Sequence, residues 1–164
     1  MLFRSYSLST IRINGVPVAV IEVAGRYYRL DVVAPELLRA APVRGLMNLF
    51  DDWAASDQSL VALAARLSAG DEGLVSPAPA WDDFLTPLQY PAKLMLGGAN
   101  YYEHIFKEAN KPDFRKADND PVFFLKPPST SLVGPGRTVR YPTQSQKFDW
   151  EIEMAAVVGK RMKR

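Results

Sequence analysis

Hydrophobic and polar positions alternate without a break along Phe148-Asp149-Trp150-Glu151-Ile152-Glu153-Met154. That is the period of two that a β-strand imposes on its side chains. The pattern predicts a long strand from Phe148 to Val158, with Phe148, Trp150, Ile152 and Met154 packing into a core. Asp149, Glu151 and Glu153 then line the opposite face, neighbouring carboxylates roughly 7 Å apart. Further upstream, residues 17–23 and 26–32 are two runs of β-branched and aromatic residues around Ala24-Gly25, which predicts a hairpin. Pro35 is suited to open a short helix, where its missing N–H costs nothing. A longer helix is expected after Ser56, a residue able to cap it, with Leu60, Leu63, Ala64 and Leu67 on one face and Gly70 at its end.

These elements predict an α+β chain in three parts. Residues 1–75 form a small N-terminal α+β domain. Residues 76–91 hold Pro77, Pro79, Pro87 and Pro91, which disfavour helices and central strands and mark a linker. Residues 92–164 begin with a short buried strand, Lys93 to Leu96, ending at Gly97-Gly98. A helical turn or two follows over Asn100 to Ala109, then a strand over Val122 to Lys126 halted by Pro127-Pro128. Gly134-Pro135-Gly136 reads as a turn and Thr138 to Tyr141 as a short strand.

Composition narrows the chemistry. The 164 residues are 48% hydrophobic and 23% charged, ordinary for a globular protein. A net charge of +2 gives no electrostatic footprint for nucleic acid, and the basic run Lys160, Arg161, Lys163, Arg164 reads equally well as solvated residues. The absence of cysteine excludes disulfides and thiolate metal sites. No apolar run approaches the roughly 20 residues that span a bilayer, and Met1 to Ser7 lacks a signal-peptide core, so neither membrane nor nucleic acid is an expected partner and the expected setting is cytoplasmic.

Three acids in a row on one strand face repel each other. A hard divalent cation removes the conflict, since carboxylate oxygens with water and substrate oxygens are what Mg²⁺ takes. A solvated edge strand with basic neighbours is the other reading of the same spacing. His104, the single histidine, is the one side chain whose unperturbed pKa lies near neutrality. In a helix Glu108 would lie beside it and support a general base, although a lone histidine on a short helix also serves structure. Lys126 ends an apolar strand, where its ammonium either stabilises a developing negative charge or reaches solvent. Asn100 and Tyr101 offer hydrogen-bonding groups at the start of the helix, with Tyr102 beside them; adjacent tyrosines suit an interface as well. No Gly-rich phosphate loop, nucleophile elbow or His-Glu-x-x-His pattern is present.

Taken in order, four segments resemble the fumarylacetoacetate hydrolase family over residues 92–164. They are Gly98 to His104, Phe123 to Ser129, Gly134 to Gly136, and Asp149 to Lys160. The resemblance implies part of a mixed β-sandwich roll, with the unit before it in the place of an N-terminal domain. It implies that Glu151 and Glu153 are paired ligands for Mg²⁺, with Mn²⁺ or Ca²⁺ as alternatives, that His104 is the general base, and that Lys126 lies near the substrate. A small-molecule oxo acid would be the substrate and the complete protein a homodimer. Family members hydrolyse acylpyruvates, decarboxylate oxaloacetate-like acids or isomerise related dienoates.

Three positions depart from the pattern. Many members place a glutamate three residues after the histidine, where this chain has Lys107, leaving Glu108 to substitute. Some carry an aspartate ligand where this chain has Gly97. The family's further aspartate ligand and the rest of its barrel follow the glutamate strand, so the expected catalytic domain is incomplete at Arg164. The expected activity is metal-dependent cleavage of a C–C bond in a 1,3-dicarbonyl substrate through an enolate, with decarboxylation or isomerisation of related 2-oxo acids as alternatives. Two non-catalytic alternatives are a chain that folds only with a partner and a binding module without turnover.

Overall fold

A computed structural model of the chain describes residues 6–38, 42–67, 72–108 and 110–162. The chain is α+β with small antiparallel sheets, and it divides into two compact units, Met1–Gln89 with Val133–Arg164, and Tyr90–Leu132. The division at Gln89 falls near the end of the proline-rich stretch. Residues 133–164, expected with the second region, group with the first unit.

In the first unit β1 (Ser7–Ile13), β2 (Val16–Val23) and β3 (Arg26–Arg29) form an antiparallel meander in that order. Both hairpins turn on two residues with positive φ, Asn14-Gly15 at 50° and 82° and Ala24-Gly25 at 51° and 79°. These angles match the twist of the flanking strands. The β2–β3 hairpin is the one expected, but β3 stops at Arg29: Leu30–Val33 turns into a short helix, α1, and buries Leu30 and Val33. Pro35 does open a short helix, α2 (Pro35–Leu38).

A 3₁₀ stretch (Pro42–Asp52), broken at Gly45, leads into α3 (Trp53–Leu67). Ser56 is not its cap. It is buried inside the helix, and Asp52 accepts a bond from the Ala55 N–H at 3.2 Å, satisfying one of the amides left open at a helix start. The expected apolar face, Leu60, Leu63, Ala64 and Leu67, is buried against Ile21, Tyr28, Leu30 and Leu49. The Tyr28 hydroxyl donates to the Leu67 carbonyl at 3.1 Å, so its buried oxygen is satisfied. Gly70 lies outside the described residues.

The proline-rich stretch and the residues just before it, 73–87, do not hang free. Arg29 N–H donates to Gly73 O and Val75 N–H to Tyr27 O, both at 2.8 Å, while Leu85 N–H donates to Thr10 O at 2.9 Å and the Thr10 hydroxyl to Pro87 O at 2.7 Å. One piece therefore covers the β3 edge and another the β1 edge, supplying partners to backbone groups that edge strands otherwise leave open. Prolines are tolerated there because the pairing is discontinuous.

In the second unit β4 (Leu94–Gly98) pairs antiparallel with β5 (Val122–Lys126), Leu94 opposite Lys126 and Gly98 opposite Val122. β4 ends at Gly98, as expected, with Gly97 and Gly98 as its last two residues. The strand expected to be buried is only partly so, with Met95 exposed, and all of β5 is exposed. Pro127 and Pro128 stop the strand as expected, and α4 (Pro128–Ser131) starts there.

Candidate functional site

The ribbon of β4 and β5 sets where the first group of candidate residues begins. After Gly98, Ala99 turns with φ 51° and the chain enters a helical segment that is π-helical over His104–Glu108. A Cβ at Gly97 would stand 3.6 Å from the Asn100 Cβ and 4.0 Å from the Phe123 ring, so Asn100 packs close to this end of the ribbon. The Ile105 N–H donates to the Tyr101 carbonyl, and the Ile105 carbonyl accepts from the Lys111 N–H, both at 3.2 Å. Ile105 is buried and fixes the turn in place. His104, immediately before it, is half-buried, with Asn100 and Tyr101 exposed. The sequence reading did not single out Ile105. The available signal was one aliphatic side chain in a segment of polar and aromatic ones.

Tyr102 ties the following loop to this segment. Its hydroxyl accepts from the Lys116 N–H at 3.4 Å, the Lys116 ammonium lies 4.7 Å from its ring centroid, and the Phe106 ring is 5.3 Å away. The cation above the ring face is favourable, though weak where solvent reaches it. The pairing of His104 with Glu108 assumed α-helical geometry. The backbone instead takes the wider π turn, a form often found at functional sites, and the Glu108 side chain lies outside the described residues. Lys126 is exposed and paired with Leu94, at the end of the ribbon away from Gly98. Four residues of strand, roughly 13 Å, separate the two ends. The ribbon thus brings Asn100 to one end and Lys126 to the other.

The second group sits in the first unit. The strands expected over Thr138 to Tyr141 and Phe148 to Val158 are not formed. Both stretches lack regular structure, and residues 148–158 have no sheet partner among the described residues. The apolar alternate residues do not enter a core: Ile152 is 83% and Met154 90% exposed. The physical reason is that a strand needs neighbours for its N–H and C=O groups and a surface for its apolar face, and neither meets this segment among the described residues. Asp149 turns back to accept from the Trp150 N–H at 2.8 Å, which removes it from the expected row of acids. Glu151 and Glu153 are exposed to a cation. As donors they fit Mg²⁺ in kind, being hard carboxylate oxygens. They do not complete a shell: among the described residues no three His, Asp or Glu side chains gather as a metal cage. Also among the described residues, no helix is long and apolar enough to cross a membrane.

Comparison with known proteins bears on residues 93–164, which match the family described as Fumarylacetoacetate (FAA) hydrolase C-terminal. The chain is 40% identical over 103 residues to human oxaloacetate tautomerase FAHD2B, mitochondrial, a match covering 60% of this chain and 31% of that protein. It is 44% identical over 103 residues to human oxaloacetate tautomerase FAHD2A, mitochondrial, with the same two shares, 60% and 31%. An uncharacterized protein of Pyrococcus horikoshii is 38% identical over 73 residues, 44% of this chain and 29% of that protein. The matched stretches thus span less than a third of each of these relatives. No solved structure gives a significant match.

Proposed function

Because this chain belongs, through residues 93–164, to the fumarylacetoacetate hydrolase family, we propose that the complete protein is an enzyme that enolises a 2-oxo acid of the oxaloacetate type. The observation that carries this reading is that Asn100, Tyr101, His104, Glu108, Lys126, Glu151 and Glu153 all fall within the matched residues 93–164. The names of the human relatives favour keto–enol isomerisation as the net reaction. The family's description names a hydrolase, which favours the second reading, hydrolysis of a C–C bond in an acylpyruvate-type substrate. Isomerisation begins with the loss of a proton from the carbon next to a carbonyl, and hydrolysis with attack of water on a carbonyl.

In the proposed mechanism the His104 imidazole takes the proton from the carbon beside the 2-oxo group. Returning it to oxygen completes the isomerisation: one C–H bond is broken, one O–H bond is formed, and no oxidant is involved. In the hydrolytic reading the same imidazole deprotonates water. Glu108 orients the ring. Asn100 and Tyr101 hydrogen-bond the substrate, and the Lys126 ammonium attracts its carboxylate or stabilises developing negative charge. Glu151 and Glu153 would contribute two ligands to Mg²⁺, or to Mn²⁺ or Ca²⁺, which when bound supplies Lewis-acid polarisation of the substrate oxygens. The complete catalytic domain would be a mixed β-sandwich roll, the complete protein a homodimer, and its setting cytoplasmic; the human relatives instead carry a mitochondrial address in their names.

The test uses the complete protein with oxaloacetate and, separately, an acylpyruvate, following enol absorbance with and without EDTA. Mg²⁺-dependent isomerisation is expected. Glu153→Gln should lose nearly all of it, and His104→Ala about 100-fold or more. Turnover unaffected by EDTA would remove the metal from the mechanism, and cleavage of the acylpyruvate without isomerisation would select the hydrolytic reading.

A further inference from the structure

Three glycines bring the stretch beyond residue 132 into contact closer than any side chain permits. A Cβ on Gly134 would stand 2.7 Å from the Phe84 carbonyl oxygen and 2.9 Å from the Leu85 Cα. That backbone cannot yield, since Phe84 bridges Ile11 and Leu85 donates to Thr10 O at 2.9 Å. Gly136, at φ +71°, would place a Cβ 2.9 Å from the Trp81 ring. Arg137 then donates through Nη2 to the Asp82 carbonyl at 3.0 Å. At the far end a Cβ on Gly159 would stand 2.9 Å from Trp53 Cβ and 3.0 Å from its ring carbons. The Trp53 ring is stacked on Phe50 at 5.0 Å and 12°, so turning it aside would cost that contact.

The stretch between these points carries Glu151 and Glu153. Part of it is shaped locally: the Tyr141 hydroxyl donates to Ser145 O at 2.9 Å, and the Tyr141 and Phe148 rings meet edge to face at 5.1 Å. The remainder, residues 149–158, has neither sheet partner nor burial among the described residues. Whatever limits its reach must therefore act at its ends.

We propose that the first compact unit is a two-point clamp for the glutamate segment. Gly134–Arg137 seat its start on Trp81–Leu85, Gly159 seats its end on Trp53, and together these positioning residues set where Glu151 and Glu153 are held. Closing a loop at both ends narrows the volume its middle explores, and releasing one end restores that freedom. The clamp stands independently of the metal; only its effect on metal affinity rests on the function proposed above.

Backbone ¹⁵N relaxation and proton shifts on the 164-residue chain test it. In the unaltered chain the Gly159 Hα resonances should be displaced by the Trp53 ring current, and order parameters across 150–158 should stay above roughly 0.6, the boundary of flexible backbone. Gly159→Ala should abolish the displacement and lower those order parameters, while residues 16–23 stay unchanged. Arg137→Ala should loosen the other end. In a Trp53→Leu background, Gly159→Ala should add nothing further, a coupling that independent structural roles would not produce. An undisplaced Gly159 resonance, or equal order parameters in all variants, would overturn the clamp. A Mg²⁺ titration followed at Glu151 and Glu153 separates the two ideas. Weaker binding in Gly159→Ala than in the unaltered chain supports both, and equal binding alongside loosening keeps the clamp and removes its effect on metal affinity.

Discussion

Residues 16–23 and residues 148–158 both carry the pattern of a strand, and they reach opposite ends. In β2, Val20 and Ile21 are wholly buried; in the later segment Ile152 and Met154 are almost wholly exposed. β2 is an apolar run whose one charged residue is Glu22, the later segment alternates apolar and acidic residues, and both patterns predict a strand. β2 has a strand on each edge, β1 through the Asn14-Gly15 turn and β3 through Ala24-Gly25, and its Ala19, Ile21 and Val23 lie against the buried residues of α3. Residues 148–158 have none of these among the described residues. Alternation states which faces a strand would have; whether a strand exists depends on what meets its edges. β5 lies between the two, with one paired edge and exposed faces.

The widest gap between these regions should appear on truncating their apolar side chains. Leu60 is fully buried beneath β2. Leu60→Ala should lower the stability of the first unit by about 2–5 kcal/mol, from lost transfer free energy and the cavity left behind. Ile152→Ala should change it by less than about 0.5 kcal/mol, as an exposed site predicts. Urea unfolding monitored by tryptophan fluorescence reads both. A cost of several kcal/mol for Ile152→Ala would mean that the segment is packed, and the contrast would collapse.

Sequence patterns revealed elements whose partners are close in the chain. The β2–β3 hairpin needs only Ala24-Gly25, and the buried face of α3 follows from the spacing of Leu60, Leu63, Ala64 and Leu67. The bounds of β5 are those expected, because two prolines stop it. β1 escaped notice, although Asn14-Gly15 is the strongest short hairpin signal: Ser7, Ser9 and Thr10 mask its alternation. The pinning of residues 73–87 to both sheet edges was illegible for another reason, since it joins positions up to 77 residues apart. For the candidate site, the kinds of residue were readable and their placement was not. Nothing local in His104–Glu108 announces a π turn, and no spacing rule could say that Asp149 would bond its own neighbour's amide.

A smaller effect tests how the folded region begins its main helix. Ser56, the expected cap, is interior, and Asp52 bonds the Ala55 N–H instead. Asp52→Ala should therefore destabilise the first unit by about 1 kcal/mol, the usual cost of losing a capping oxygen. Asp149→Ala removes a similar side-chain-to-amide bond from the exposed segment and should leave the urea midpoint unchanged. Equal losses would show that the two bonds sit in equally ordered backbone.

The least effect belongs to a charge pair at the surface, Arg29 with Asp31, whose titration is biased by their contact. Arg29 bonds Asp31 through two donors, Nη2 to Oδ2 at 2.6 Å and Nε to Oδ1 at 3.0 Å, where β3 gives way to α1. The hydrogen bond from Arg29 holds the Asp31 carboxyl below its ordinary 3.8; partial burial opposes this and the nearby positive charge adds to it. A carboxylate lowered in the folded state binds fewer protons there than in the unfolded chain. The pair's contribution is therefore complete above pH 3.8 and disappears as pH falls through the lower folded value. Both side chains are 39% exposed, so solvent screens the pair and its contribution is about 0.5 kcal/mol. Asp31→Asn should cost that much at neutral pH, less in 1 M salt, and progressively less as pH falls below 3.8. Urea midpoints at neutral and acid pH measure the difference. A cost that survives acid would place the importance of Asp31 in the shape of the β3–α1 corner rather than in its charge, and the folded region would then owe nothing measurable to the Arg29–Asp31 ion pair.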